Sequence, residues 1–349
     1  MNSEMFKSIK GDKAKKLYEA MWDNNSIVND NSIERSISKK NKLSHCSYSF
    51  EGDDKVETLI NVFKIPKENK NLFRQKFAMA CSGSGREYSR ITTLHSSSLC
   101  ALLFFYNVTE KNSLKIEGIG IFTKSVFEFR NPVMAGNHPS CMDVVLLGVD
   151  DQGEDLVLFI ESKFSEYYMC AAKKSCEISD KYLYHKYSEA LYEDEFLEEL
   201  GICKSCVKDG QFTIHSDEGF YIDGIKQMIS HYVGMRNCID SDCGCVEQKE
   251  KDQDEIVEAI KDGAKVMLAE IIFDPIIGYF EISEGKTYKE IYAEKFKILA
   301  EKMNSIIENS DFIRRVYVHP EVLGYSMFLK DNLGFELDEG VKEFYFRKV

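Results

Sequence analysis

The chain has 349 residues, 44% of them hydrophobic and 30% charged, enough apolar material for one large domain or two smaller ones. With 12% aromatic residues and 5 prolines, the composition excludes a disordered chain, a fibre or a small disulfide scaffold. A formal net charge of −13 argues against a protein whose main task is a non-specific grip on nucleic acid, while leaving room for a local basic strip and for clustered carboxylates.

No apolar run approaches the roughly 20 residues that cross a bilayer, so no membrane partner is expected. The opening stretch MNSEMFKSIKGDKAKK lacks the apolar segment of a secretory signal. The 11 cysteines are therefore expected to be reduced thiols in a cytoplasmic protein.

Residues 1–65 are polar and rich in Asn, Ser and Lys, with one helical stretch around Asp12–Asn24. They read as a loosely packed N-terminal region ahead of a larger domain, 66–349. Residues 66–80 predict a helix with Leu72, Phe73, Phe77 and Met79 apolar, ended by Ser82-Gly83-Ser84-Gly85. From Glu87 to Phe105 the pattern predicts a long helix, apolar nearly all round after Ser98 and hence buried. Three strand patterns follow: Ser125–Arg130, Met142–Val149 and Leu156–Lys163. The polar run from Asp150 to Asp155 makes the last two a hairpin. Helical patterns resume from Ser165 to about Leu200. Then come a helix at Gly224–Met235, a strand at Lys265–Phe273, a helix at Tyr288–Asn309 and a strand at Arg314–His319. The order predicts an α/β fold, a mixed central sheet flanked by helices.

The hairpin carries the chemistry. A turn centred on Gln152 sets Asp143 opposite Glu161, and the alternation of strand side chains puts Lys163 on the same face as Glu161. Two carboxylates and an ammonium thus converge at the end of an otherwise apolar strand pair. Carboxylates so close repel unless a cation or a proton lies between them. Mg²⁺ or Mn²⁺ suits such a site, since it takes one or two carboxylates and completes its shell with waters and phosphate oxygens. A neighbouring lysine can orient the attacking water or offset transition-state charge, and the set suits phosphodiester hydrolysis.

Asp143, seventeen intervening residues and then Glu161-Ser162-Lys163, following a helix and a strand, resembles the PD-(D/E)XK nuclease superfamily. The run Glu87…His95-Ser96-Ser97-Ser98 and the later Gly224-x-Lys226-Gln227-x-x-x-His231 resemble its restriction-endonuclease-like subgroup. The resemblance implies an αβββαβ core over about 85–275, with extra helical segments and a C-terminal helix and strand extension. It implies Asp143 and Glu161 as metal ligands with Lys163 catalytic. It also implies a supporting glutamine, matched by Gln227, and a further acid from the preceding helix, matched by Glu87, with Glu128 as its rival. His231 shares the helix face of Gln227. The residue before Asp143 is Met142, where the motif is named for a proline. The implied activity is that of a Mg²⁺-dependent endonuclease whose expected partner is DNA. A homodimer or a partner in a defence complex fits the same resemblance.

Each feature has a plainer reading beside it. Asp143, Glu161 and Lys163 could form a cross-strand salt bridge, Gln227 and His231 the polar face of an amphipathic helix, and Glu87 a helix-start acid. The serines 96–98 read as helix caps, with no nucleophile elbow around them. Lys173, Lys174 and Lys226 either follow a phosphate backbone or form a solvated face. Cys203-x-x-Cys206 with Cys238, Cys243 and Cys245 could supply a structural zinc site. Two other functions therefore stay open: a catalytically idle binding or assembly module of the same fold, and a zinc-stabilised interaction protein.

Overall fold

The computed structural model describes residues 26–37, 46–82, 87–133, 139–164, 175–216, 222–239, 251–274, 281–283, 286–308, 316–330 and 334–346. Helices α1 (Lys55–Val62), α2 (Lys70–Ala80) and α3 (Ser97–Phe105) precede an antiparallel meander. Its strands are β1 (Leu114–Ile116), β2 (Gly120–Asn131), β3 (Ser140–Asp150) and β4 (Asp155–Lys163). After an insertion come α4 (Ile222–Ile239) and α5 (Lys251–Asp262), and the chain returns as β5 (Lys265–Ile272), parallel to β4. Helix α6 (Tyr288–Glu308) leads to β6 (Val316–Val318) and β7 (Leu323–Gly324), both parallel to β5, and α7 (Glu339–Tyr345) follows. The sheet order is β6-β5-β4-β3-β2-β1, with β7 also on β5. The mixed α/β architecture expected from the element order is therefore present, and no described helix is long and apolar enough to cross a membrane.

The central strands explain themselves. Val144, Val145, Leu146, Val157, Leu158, Phe159 and Ile160 are all buried, as continuous apolar runs require when helices cover both faces. Their turn is built by Asp150, whose Oδ1 accepts the amides of Gln152 and Glu154, both at 2.9 Å, and by Gly153 at φ +81°. Helix α3 lies under one face. Leu99 through Phe105 are buried on every side of it because the C-terminal Tyr325, Phe328, Tyr345 and Phe346 pack rings against Phe104. Helix α4 takes the opposite face, approaching so closely at Gly234 that a Cβ there would meet Asn131 Cβ at 2.7 Å.

Three expectations need correction. The helix read from Glu87 to Phe105 is broken: a single turn at Glu87–Arg90 gives way to turns, and α3 starts only after Ser96. Ser96 Oγ accepts the Leu99 amide at 3.1 Å, a cap that the serine run favours over helix interior. The stretch read as helical to Leu200 holds instead a strand, Ser175–Ser179, two 3₁₀ turns and a short helix, Asp194–Glu199. The strand pairs with Gln211–His215, which also pairs Cys203–Lys204, so distant partners decide a segment whose local pattern was ambiguous. Residues 165–174 and the expected helix at Asp12–Asn24 lie outside the described residues. Nor is the described part of the N-terminal region loosely packed, because Ile27, Val28 and Phe50 are buried and Phe50 sits against Phe63 and Phe344.

Candidate active site

The site is assembled where four adjacent strands each present an acid. The β3–β4 register runs through Val144–Ile160, so Asp143 and Glu161 occupy the next opposed positions, as the turn position implied. The pairs Phe127–Val144 and Phe129–Met142 set Glu128 opposite Asp143 on the other side, and Glu270 of β5 pairs with Glu161 directly. The alternation along β4 then separates two environments. Ser162 faces α3, with its Oγ 3.3 Å from the carbonyl of Ser97 and 2.8 Å from the Tyr325 hydroxyl. Glu161 and Lys163 face α4.

Helix α4 supplies the partners one turn apart. Lys163 Nζ donates to Gln227 Oε1 at 2.8 Å and to Glu161 Oε1 in a shorter contact. The other Glu161 oxygen, Oε2, lies 2.9 Å from His231 Nε2, an ion-pair separation at an angle outside hydrogen-bond geometry. His231 Nδ1 in turn contacts the hydroxyl of Ser140 at the start of β3. Asp143 Oδ2 accepts the Ser162 amide at 2.8 Å. Glu161 and Lys163 are almost fully buried, at 4% and 3% exposure.

Burial acts on the two carboxylates with opposite outcomes. At Glu161 it works to raise the pKa, but the cationic Lys163 and the contact with His231 overcome it and bring the group down to about 2. At Asp143 burial also raises the pKa, and the charges of Glu161 and Glu128 add to it. Lys163 and the Ser162 amide only partly oppose this, leaving Asp143 well above the usual carboxylate range. One acid is held ionised and the other favours a proton, a division that environments commonly impose on paired carboxylates with chemical roles.

Asp143, Glu161, Lys163, Gln227 and His231 are thus brought together. Glu87 and Glu128 both lie near Cys81, whose thiol is pushed up to about 12 by burial and then by these two acids, and the charge of Glu128 also raises Asp143. Lys226 turns away, its Nζ bonding the Glu177 carbonyl at 3.0 Å, and Lys173 and Lys174 lie outside the described residues. Sequence reasoning passed over Glu270, which is fully buried and accepts the Tyr292 hydroxyl at 2.9 Å. Its signal was an acid interrupting the apolar run KVMLAEIIF, the same signal that marked Glu161 in LVLFIESK.

Among the described residues, no three His, Cys, Asp or Glu side chains are grouped to hold a metal ion. Asp143 and Glu161 fit a hard cation more modestly, since burial first and then the charge of Glu161 drive Asp143 toward protonation, and a bound cation would offset the repulsion between the two. Of the thiols considered for zinc, Cys203 and Cys206 are exposed and Cys238 is buried in α4. Cys243 and Cys245 lie outside the described residues. No protein-family model, curated protein or solved structure matches the chain.

Proposed function

We propose that this chain is a metal-dependent nuclease of the PD-(D/E)XK type, with α3, β2 to β4, α4 and β5 as its restriction-endonuclease-like core, hydrolysing phosphodiester bonds in DNA. The observation that carries the reading is the register of the β3–β4 hairpin, which sets Asp143 opposite Glu161 with Lys163 on the same face. The helix that follows meets that lysine with Gln227.

Asp143 and Glu161 would hold Mg²⁺ or Mn²⁺, which when bound supplies positive charge to the phosphate and a more acidic water. Lys163, an ammonium anchored between Glu161 and Gln227, is placed to donate hydrogen bonds to the phosphate oxygens as negative charge builds on them. Gln227 offers Lys163 only a carbonyl oxygen, so it directs the ammonium without neutralising it. His231 fixes Glu161 from the far side, with its own ring set by Ser140. Water adds to phosphorus as one ester P–O bond breaks, leaving a phosphate monoester on one product and a hydroxyl on the other.

One observation favours a second reading, an idle module of the same fold that serves binding or assembly. Both oxygens of Glu161 already face cationic or polar partners, Lys163 and His231. Incubation of single- and double-stranded DNA with wild type and with Asp143→Ala, in Mg²⁺ and in Mn²⁺, separates the two. The nuclease cuts in a metal-dependent way and the variant does not. Intact DNA with wild type under both metals would favour the idle module.

A further inference from the structure

Beyond residue 122, β2 has lost its partner β1 and runs as the edge of the sheet. An edge leaves every second residue with outward backbone groups that need partners. Here the side chains of α2 and α5 take the place of a strand. Lys76 Nζ donates to the Ser125 carbonyl at 2.6 Å, the Phe127 amide reaches Met79 Sδ at 3.1 Å, and Gln253 Nε2 donates to the Phe127 carbonyl at 2.6 Å. Residues 125 and 127 are two apart, as the period of a strand demands.

The next contact breaks that period. Gln253 Nε2 also reaches the carbonyl of Glu128 at 3.2 Å, although in a regular strand residue 128 would aim its backbone inward, at Asp143. Glu128 is at φ +51°, in the left-handed region that a non-glycine residue seldom enters. The ladder is interrupted there, with pairs at Phe127–Val144 and Phe129–Met142 but none between Glu128 and Asp143. Gln253 itself is fully buried, and α5 is docked by Asp252, which lies 3.6 Å from Lys76 and accepts from Gln75 at 3.0 Å. Strain of this kind persists where surrounding contacts over-determine it, and it concentrates at working sites.

We propose that Gln253 is a positioning residue: by holding the carbonyls of Phe127 and Glu128 it keeps Glu128 left-handed and its carboxylate beside Asp143, where its charge strengthens cation binding. The last clause rests on the nuclease reading; the conformational part does not. Without the Gln253 donor, Glu128 relaxes into ordinary strand and pairs with Asp143, and its carboxylate leaves the position that the left-handed backbone sets for it.

Two measurements test the proposal. The conformational one compares melting temperatures of Glu128→Gly and Glu128→Ala, alone and combined with Gln253→Met, which keeps the volume of the side chain and removes its donor. Glycine tolerates φ +51° and alanine does not, so with Gln253 present the Gly variant melts higher, by roughly 2–4 °C. With Gln253→Met that advantage disappears. An unchanged Gly–Ala difference would overturn the proposal whatever the enzyme does. The second is titration of the full chain with Mn²⁺ alone, with Asp143→Asn identifying the site. Gln253→Met and Glu128→Gln each weaken binding about tenfold, and together weaken it no further. Losses that multiply, or a folded Gln253→Met with wild-type affinity, would remove Gln253 from the site. Absence of Asp143-dependent Mn²⁺ binding in wild type would sink the metal-site reading and the cation clause with it, leaving the melting comparison to decide the conformational part.

Discussion

The same three residue types meet at both ends of the β3–β4 hairpin, the lysine at the turn coming from β5, and they behave in opposite ways. At the turn, Lys265 Nζ lies 2.6 Å from Asp150 and 2.5 Å from Glu154, in an arrangement open to water, with the Glu154 side chain 63% exposed. At the other end, Asp143, Glu161 and Lys163 meet under α4, with the Glu161 and Lys163 side chains about 5% exposed or less. The hydrogen bond from Lys265 and the turn amides lower the pKa of Asp150, whereas burial and neighbouring acids raise that of Asp143. Water screens the first triad and makes it a fastening. Its exclusion from the second turns the same groups into a set whose protonation states differ.

The largest separation between the two ends comes from their lysines. Lys163→Ala abolishes cleavage, by about a thousandfold or more in rate at saturating metal, because charge stabilisation in a dry site has no substitute from solvent. Circular dichroism should show the fold retained. Full activity in a folded variant would falsify the catalytic assignment.

A smaller effect, of opposite sign, is expected from Asp143→Asn. A carboxyl whose folded pKa lies above its unfolded value binds more protons in the folded state, so its contribution to stability is lost as pH rises through that window. The asparagine variant therefore melts a few degrees above wild type at pH 8. The gap closes as the pH falls below about 4, where the wild-type carboxyl is protonated in both states. A gap independent of pH, or one that widens in acid, would show that Asp143 is not under the stress inferred for it.

Smallest is Lys265→Ala at the turn. Surface ion pairs contribute little and are screened by salt, so its melting temperature stays within about 1 °C of wild type and the difference shrinks further in high salt. A larger drop that salt does not reduce would mean that the turn triad does more than fasten two strands.

How much could be read in advance follows from the range of the forces involved. Strands β3 and β4 announced themselves through unbroken apolar runs, and the short turn fixed their register, so the sequence alone sets Asp143 opposite Glu161, next to the observed pair Val144–Ile160. Gln227 was singled out only through the resemblance, since the helix pattern alone read equally as a polar face, and the structure sets its Oε1 2.8 Å from Lys163 Nζ. Other features were set at long range. The distortion at Glu128 depends on Gln253, 125 residues away, and nothing local in VFEFR signals it. The break after Glu87 was partly legible, because three consecutive serines compete with helix and one of them caps. Glu270 was legible by the criterion that marked Glu161, but Ile272 stands where a lysine follows Glu161, so nothing drew attention to it.

The parallel partner of β4 arrives late in the chain. Four residues, 151–154, close β3 onto β4, whereas 101 residues, 164–264, separate β4 from β5. That is between four and five doublings of loop length, and at about 0.6 kcal/mol per doubling the second closure costs roughly 3 kcal/mol more in chain entropy. Asp143, Glu161 and Lys163 are therefore joined by the short loop, while Gln227 and His231 lie within the long one and Glu270 beyond it. A fluctuation that opens the crossover leaves the acids and lysine together on their hairpin and takes away the groups that aim them.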